Sequence, residues 1–254
     1  MEEQGSDKAL NVPAGADATV QELEIPGSEA ETAIAAPSNE PLTYRFTDRI
    51  VVLSDHSSAE AESIAALRTH LLAHHVRLGR RGLAICAPDR NAGSTFVAVN
   101  LAVALARAGI KTLLIDANMR NPSVHRMIVP SREMPALREC LAEQDANYGE
   151  VIQEEVLPHL SVIFSGGKST RAQELLSGQR FKSLLDLCMR DFEVTIVDTP
   201  ASNNNADGRR IASITRYCAI VARKDNTYIS DVSTLVDEMK ADKINVVGTI
   251  LNEF

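Results

Sequence analysis

Three short, almost entirely apolar runs place the strongest constraint on the fold of this chain. They span Leu83–Ala87, Thr112–Asp116 and Val194–Asp198, and each leads into polar turn residues. Strands without polar alternation are typical of parallel sheets that are covered on both faces. Helical stretches lie between the runs, and this alternation is the pattern of α/β folds. We therefore expect a doubly wound, mainly parallel sheet in a Rossmann-like arrangement of three layers.

The same patterns predict the remaining elements. Further strands are expected at Leu160–Phe164, Tyr217–Ala222 and Asn245–Leu251. Helices are expected at Ala59–Val76, Phe96–Ala108, Met134–Glu143, Gln173–Arg190 and Ile229–Lys240. The short apolar run Ile50–Leu53 is expected to be a strand or an extended arm. Ligands of such sheets bind at the carboxyl ends of the strands, where the motifs described below fall.

The first run leads into a candidate phosphate-binding loop. Residues 87–95 read APDRNAGST and open the helix Phe96–Ala108. The phosphate-loop pattern GxxxxGK[ST] is matched at Gly93 and Thr95, while Pro88 and Ser94 depart from it. Backbone N–H groups of such a loop and a helix N-terminus receive an anion. On its own the partial match favours an ordinary strand–turn–helix connection.

Two aspartates strengthen the case for a nucleotide site. Asp116 ends the second apolar run and Asp198 ends the third. In phosphoryl-transfer sites a carboxylate at a strand end holds Mg²⁺, directly or through water, beside the hydroxyl of the phosphate loop. An aspartate at this place is also common as the N-cap of the next helix. The conjunction of the loop with both aspartates favours the nucleotide site.

Composition separates an acidic tail from a neutral body. The first 42 residues hold nine acidic residues and one lysine, whereas residues 43–254 carry 25 basic and 25 acidic residues. The tail is poor in apolar positions and is expected to be disordered, and residues 43–254 are expected to form one P-loop NTPase-like domain. The neutral body lacks Trp, so no nucleic-acid surface is expected. With no apolar run near the roughly 20 residues of a membrane span, we expect a cytoplasmic protein.

The four cysteines carry no metal or disulfide signal. Cys86, Cys140, Cys188 and Cys218 are widely separated and form no CxxC pair. Each lies in an apolar segment. Buried, reduced thiols are therefore expected rather than disulfides or zinc ligands.

The run NAGSTFVAVNLAVALARAGIKTLLIDANMRNPSVHR resembles the kinase domain of the bacterial tyrosine autokinases (BY-kinases) of capsule and exopolysaccharide export. That family shows a GEGKST-like loop, then LLIDADxRxPxxH, then IIDTPP, and the resemblance covers roughly residues 59–252. It implies ATP or ADP with Mg²⁺, bound by Arg90, Asn91, Ala92, Gly93, Ser94, Thr95 and Phe96. It further implies Thr95, Asp116 and Asp198 as metal-site residues, with Asp116 and Asp198 as the catalytic pair. The helix with Glu62 and Arg68 resembles the ExxRxxR motif and implies contacts within a homo-oligomer.

Several positions depart from the family pattern. Ser94 replaces the lysine that neutralises the β- and γ-phosphates, and Asn118 replaces the second Asp of DxD. Ala65 replaces the middle arginine of ExxRxxR, and Ala201 replaces the second proline of DTPP. The sequence stops at Phe254, where the family continues into a tyrosine-rich tail. Because Asn cannot act as a carboxylate base, we expect severely reduced or absent kinase activity, with nucleotide binding that is weak, lost, or retained through the loop.

Three functions follow from these observations. The first is a BY-kinase-like protein of exopolysaccharide export that works with a membrane co-polymerase, or chain-length regulator, at the inner face of the cell membrane. The second is an active ATP-dependent tyrosine kinase or ATPase in which Arg90 supplies the missing charge. The third is a relative of the partitioning and cell-division positioning ATPases, whose second loop lysine would fall at Asp89.

Overall fold

The computed structural model of the protein describes residues 42–55, 57–143, 145–203 and 205–253. The expected acidic tail, apart from residue 42, lies outside the described residues. The predicted boundary between tail and folded domain therefore stays a prediction. No helix in the described part of the chain is both long and apolar enough to cross a membrane.

The strands and helices alternate along most of the chain. The strands are β1 (Tyr44–Phe46), β2 (Gly82–Cys86), β3 (Thr112–Asp116), β4 (Ile128–Pro130), β5 (Gln153–Leu157), β6 (Leu160–Ile163), β7 (Val194–Asp198), β8 (Tyr217–Arg223) and β9 (Asn245–Asn252). The α-helices are α1 (Val51–Ser54), α2 (Ala59–His74), α3 (Ser94–Arg107), α4 (Leu137–Ala142), α5 (Ala172–Ser177), α6 (Gln179–Asp191), α7 (Asp207–Thr215) and α8 (Ile229–Ala241).

The main sheet has the strand order β5-β6-β3-β7-β2-β8-β9. Every neighbouring pair in it is parallel except β5 and β6. All residues of β2, β3 and β7 are buried, which explains why these strands carry no polar alternation. The predicted mainly parallel α/β sheet is confirmed. Strand β2 lies inside the sheet and leads into the loop that begins at residue 87.

Helices cover both faces of this sheet. Alternate residues of β2 point to opposite faces: Leu83 and Ile85 join a core with α2 and α3, whereas Ala84 and Cys86 join a core with α4 to α8. This is the expected three-layer, doubly wound arrangement. The four cysteines are buried free thiols, as predicted.

Some local predictions were wrong. The run predicted as a strand at Ile50–Leu53 forms the short helix α1. Tertiary contacts decide its conformation, because the side chains of Asn100 and Arg107 on α3 donate hydrogen bonds to the carbonyl groups of Arg49 and Val52. The helix predicted at Gln173–Arg190 is two helices, because Gly178 has an extended backbone (ψ 154°) between them.

Other elements were missed or misplaced. The predicted helix Met134–Glu143 is shortened to α4, which begins where the Leu137 amide bonds to the carbonyl of Phe164. Helix α7 was not predicted. Neither were β5, whose residues Glu154 and Glu155 are exposed, and the antiparallel pair β1–β4. These elements are short, so they contain too few residues to display a period.

Helix α3 starts directly after the loop and anchors it. Its residues Val97–Ala106 are all buried, so the helix is fixed in the core along nearly its whole length. The buried Asn100 amide bonds to the carbonyl oxygens of Arg49 and Phe96, each at 3.0 Å. The helix ends before Gly109, whose left-handed φ of 81° turns the chain towards β3. The N-terminus of α3 is therefore held rigidly at the carboxyl edge of the sheet.

Candidate nucleotide site

The two predicted aspartates lie side by side at the carboxyl edge of the sheet. Asp116 and Asp198 are register partners at the ends of β3 and β7, and both are completely buried. Thr95, in the first turn of α3, donates a hydrogen bond of 2.6 Å from Oγ1 to Asp198 Oδ2. The fold thus brings together the three residues expected at a metal site.

Ser123 joins this group, and the sequence motifs did not single it out. Its hydroxyl donates to Thr95 Oγ1 at 2.9 Å, and its amide donates to Asp116 Oδ2 at 3.2 Å. Asp116 also accepts hydrogen bonds from the amides of Val124 (3.1 Å) and Asn118 (3.1 Å). We call Thr95, Asp116, Ser123 and Asp198 the metal corner. These hydrogen bonds link all four residues of the metal corner, with no direct bond between Asp116 and Asp198 among them.

The metal corner holds its two carboxylates at an electrostatic cost. Burial raises the pKa of Asp116 to about 6, although its three amide donors oppose the shift. Burial and the neighbouring Asp116 raise the pKa of Asp198 well above its usual range, against the nearby hydroxyls of Thr95 and Ser94. Asp198 Oδ1 has no hydrogen-bond partner of normal geometry in the described residues. Two buried carboxylates and a hydroxyl are the hard oxygen ligands that suit Mg²⁺, so the donor set fits a divalent cation.

The loop itself has the backbone shape of an anion cradle. Asn91 and Gly93 have left-handed φ values of 64° and 93°. Gly93 is required here, because a Cβ at this position would collide with Asn252 Nδ2. That amide donates to the carbonyl oxygen of Ala92 at 2.9 Å. Asn252, the last residue of β9, therefore holds the loop. In the sequence, only its position at the carboxyl end of a predicted strand hinted at this role.

A cavity of about 680 Å³ lies over the loop. Six of the seven predicted nucleotide-binding residues line it: Arg90, Asn91, Gly93, Ser94, Thr95 and Phe96. The seventh, Ala92, is buried and does not line the cavity. Asp116 and Asp198 lie beneath the wall, where Thr95 and Ser123 separate them from the cavity. The N-terminal arm around α1 closes the opposite side of the cavity, through residues such as Arg49 and Val51.

The two substituted motif positions face this cavity. Ser94 and Asn118 both line it, and both side chains are uncharged. Asn118 Oδ1 accepts a hydrogen bond from the amide of Asn121 at 3.1 Å, so it stabilises its own turn. A lysine and a carboxylate would stand here in the family pattern. At these two positions the cavity wall therefore carries neither a cation nor a carboxylate.

Positive charge in the lining of the cavity comes from five arginines. Arg49, Arg90, Arg120, Arg126 and Arg223 all line the cavity. Arg120 is committed to the buried Asp207, with Nε 2.7 Å from Oδ2. The other four form no ion pair with any residue in the described ranges. Sequence reasoning identified only Arg90, because the other three come from distant elements.

The loop, the helix it opens and the mainly parallel sheet define a P-loop NTPase fold. The AAA domain family matches residues 85–241, which is more than half of the 254 residues. The chain therefore belongs to the AAA domain family. The tyrosine-protein kinase ptk of Acinetobacter johnsonii is 29% identical over 206 residues, which cover 80% of this chain and 28% of that relative. The chain thus spans little more than a quarter of this relative's length.

Solved structures give the same assignment. The chimerical protein CapA2B2 superposes with a TM-score of 0.73 at 25% identity, over 83% of this chain and 92% of that one. The kinase domain of the Escherichia coli tyrosine kinase Etk gives a TM-score of 0.72 at 28% identity, over 80% and 79%. These findings confirm the predicted resemblance to BY-kinases of the P-loop NTPase superfamily. MinD of Pyrococcus horikoshii, solved with Mg-ADP, shares the fold alone, at 16% identity, a TM-score of 0.58 and coverage of 68% and 70%.

Proposed function

We propose that this chain binds Mg-ATP or Mg-ADP and acts as a BY-kinase-like protein whose phosphoryl transfer is impaired or absent. One observation supports the proposal above all others. The metal corner is complete, whereas Ser94 and Asn118 leave the cavity wall beside it without the lysine and the second carboxylate. Such a site keeps what binding requires and lacks what phosphoryl transfer requires.

Each part of the site has a role in this proposal. Thr95 would coordinate Mg²⁺, Asp116 would lie near its water shell, and Asp198 would lie in its outer shell. The metal, when bound, neutralises charge on the terminal phosphates. The loop amides and the N-terminus of α3 bind the phosphates. Asn118 cannot take a proton as a carboxylate does. Removing one preorganised donor from a comparable site costs about 10²–10³ in rate, so we expect the absence of both the lysine and the second carboxylate to reduce turnover strongly.

We place the chain in exopolysaccharide or capsule export. Similarity to proteins named as tyrosine-protein kinases supports this, although the chain spans only part of the first relatives. The partner we propose is a membrane co-polymerase at the inner face of the cell membrane, with the chain on its cytoplasmic side. Homo-oligomer contacts run through α2, on which Glu62 is exposed and Arg68 half-buried. No role in nucleic-acid binding is proposed.

Calorimetry and phosphotyrosine detection test this proposal together. We expect purified protein to bind Mg-ATP and Mg-ADP, and Thr95→Ala to weaken binding strongly because it removes the hydroxyl of the metal corner. Incubation with Mg-ATP should give no phosphotyrosine by immunoblot or mass spectrometry. Robust self-phosphorylation would refute the impaired activity, and absence of binding would refute the nucleotide site.

An active enzyme is the second candidate, and the position of Arg90 favours it. Arg90 lines the cavity and belongs to the loop itself. A guanidinium suits phosphate geometry and stays charged at any physiological pH. Under this candidate, Asp116→Ala and Arg90→Ala each abolish turnover towards a partner's tyrosines. If Arg90→Ala leaves nucleotide affinity unchanged, Arg90 does not replace the lysine.

A positioning ATPase is the third candidate and has less support. The loop carries Asp89 where those proteins have their second lysine, and Asp89 accepts a hydrogen bond from Asn203. A carboxylate at this position repels the phosphates that a lysine would bind. The similarity to MinD, at 16% identity, extends to the fold alone.

A further inference from the structure

The missing lysine raises the question of which residue meets the terminal phosphate. Thr95 and Asp198, which would hold the metal, lie on the β3–β7 side of the loop. The metal would neutralise the terminal phosphates, so we expect the terminal phosphate on this side. A replacement cation must reach that side.

The strand order separates the cavity arginines by side. Arg223 ends β8, which lies on the other flank of β2 from β7 and β3. Arg49 belongs to the N-terminal arm. The side chain of Asn100, which lies two turns into α3 from the loop, donates a hydrogen bond to the carbonyl oxygen of Arg49. Arg120 lies on the β3 side but is bound to Asp207, whose side chain is only 4% exposed. Moving Arg120 to a phosphate would leave a buried carboxylate without its cation.

Arg90 is on the loop but is poorly placed and poorly fixed. It lines both the main cavity and a smaller neighbouring cavity of about 370 Å³, so it stands between them. Its side chain is exposed and makes no hydrogen bond to any residue in the described ranges. It also follows Asp89, whose carboxylate offsets part of its charge.

Arg126 is also exposed and makes no side-chain hydrogen bond in the described ranges, but the backbone that carries it is fixed beside the metal corner. It ends the 3₁₀ turn that follows Ser123, and its amide bonds to the carbonyl oxygen of Ser123 at 3.1 Å. Ser123 directly precedes this turn, and both Ser123 and Arg126 line the cavity. The hydroxyl of Ser123 touches Thr95, and the amide of Val124 is bound to Asp116. The turn that carries Arg126 is therefore hydrogen-bonded to the metal corner.

We propose that Arg126 supplies the positive charge to the terminal phosphate of the bound nucleotide, in place of the absent loop lysine. This inference rests on the proposed nucleotide site. Arg126 lines the cavity, forms no ion pair in the described part of the chain and is carried by a turn whose backbone is fixed to the metal ligands. Its guanidinium is suited to bidentate phosphate binding. Since it acts at the terminal phosphate, Arg126 distinguishes ATP from ADP.

Titration calorimetry with Mg-ATP and Mg-ADP tests this assignment. Hydrogen bonds to charged groups contribute enough that Arg126→Ala should weaken ATP binding about tenfold to hundredfold. ADP binding should change less than about threefold. Arg126→Lys should retain part of the ATP affinity. Ser94→Lys combined with Arg126→Ala should recover the ATP affinity, because the charge returns from the loop.

Matched arginine variants make each outcome decisive. Arg223→Ala and Arg90→Ala should each weaken ATP and ADP binding by the same factor, so neither variant should change the ATP-to-ADP ratio. Thermal melts check that each variant folds, which exposed Arg126 and Arg90 allow. An unchanged ATP-to-ADP ratio in Arg126→Ala would overturn the inference while leaving the nucleotide site intact. A selective ATP loss in Arg90→Ala would assign the charge to the loop instead. Wild-type protein that binds neither nucleotide would overturn both this inference and the proposed function.

Discussion

The metal corner and the loop tip, residues 89–93, differ sharply in how they are held. In the metal corner, Asp116 alone accepts three amide hydrogen bonds, and Thr95 links Ser123 to Asp198. The loop tip is bound mainly through two asparagine side chains, Asn252 on the carbonyl of Ala92 and Asn203 on Asp89. One region is buried and interlocked, while the other is partly exposed and held at its ends.

This difference explains which residues change at low cost. Replacing a member of the metal corner leaves buried donors or acceptors unpaired, which costs about 1–3 kcal/mol for each group. Replacing a loop lysine by Ser94 leaves no such group, because the side chain faces the cavity. A serine in place of the lysine is therefore compatible with an intact fold. The predictions that follow test this contrast, beginning with the largest effect.

Substitution of Gly93 should have the largest effect on stability. In Gly93→Ala the new Cβ collides with Asn252 Nδ2 and the residue keeps a left-handed φ of 93°. The conformational strain costs about 1–2 kcal/mol and overpacking adds about 1–3 kcal/mol. Denaturant unfolding should therefore show a loss of about 2–5 kcal/mol in the free energy of unfolding.

Gly109 provides the matched control. It has a similar left-handed φ of 81°, but nothing lies within 4 Å of an added Cβ. Gly109→Ala should therefore cost only the strain of about 1–2 kcal/mol. Equal losses in the two variants would mean that Asn252 moves aside freely. The loop tip would then be held less firmly than we describe.

Removal of one charge from the metal corner should weaken the Mg²⁺-dependent binding of nucleotide. Asp198→Asn keeps an oxygen for the Thr95 hydroxyl and places its amide where Oδ1 now has no partner. Mg²⁺-dependent nucleotide affinity should fall about tenfold to hundredfold, while the metal-free protein becomes no less stable. Calorimetry with and without Mg²⁺, together with thermal melts, measures both effects.

Asp116→Asn is the informative partner variant. Both oxygens of Asp116 accept amide hydrogen bonds, so an introduced NH₂ group must face a backbone donor. This variant should lose about 1–3 kcal/mol of stability in addition to metal affinity. If both variants destabilise the metal-free protein equally, Asp198 Oδ1 has a partner that the described contacts do not include.

The metal corner was predictable from sequence to a larger extent than the loop tip. Asp116 and Asp198 follow directly from strands that end in polar residues, because parallel strands bring their carboxyl ends to one edge. Thr95 follows from the partial match to the phosphate-loop pattern. The sheet was predictable for the same reason, since β2, β3 and β7 are apolar throughout. Contacts between residues that are distant in the sequence, however, cannot be predicted from local patterns.

Asn252 illustrates the limit. It lies 160 residues from Ala92, whose carbonyl it binds. No spacing rule connects these positions, and only the completed sheet brings β9 to the loop. Ser123 and Arg126 were missed for a related reason, because their 3₁₀ turn is too short to show a period. The predicted strand at Ile50–Leu53 failed because two side chains of α3 hold its backbone as a helix.

Restoring the lysine should sharpen the contrast between binding and turnover. Ser94→Lys returns a cation to the loop, and we expect about tenfold tighter ATP binding. Kinase activity should remain very low, since Asn118 still lacks a carboxylate that can take a proton. Calorimetry and phosphotyrosine immunoblots check the two parts. Adding Asn118→Asp to Ser94→Lys should raise turnover, and strong activity of Ser94→Lys alone would show that the loop cation was the sole defect.

The smallest expected effect is a pH dependence of the metal-free protein. Burial raises the pKa of Asp116 to about 6 and that of Asp198 further above its usual range. The folded state therefore binds more protons than the unfolded state between about pH 4 and the folded pKa values, so stability falls as pH rises through this window. Ionisation of the pair at neutral pH therefore destabilises the folded state.

Comparison with Asp198→Asn separates the effect of this aspartate pair on stability from the effects of the other titrating groups. The variant should match the wild-type free energy of unfolding near pH 4, where both carboxyls are protonated, and exceed it increasingly towards pH 7. Saturating Mg²⁺ should reverse the order at pH 7, because the metal binds the ionised pair and only the wild type retains it. A difference between the two proteins that stays constant from pH 4 to pH 7 would mean that the carboxylates are not strained by their burial. The metal corner would then owe its arrangement to hydrogen bonding alone.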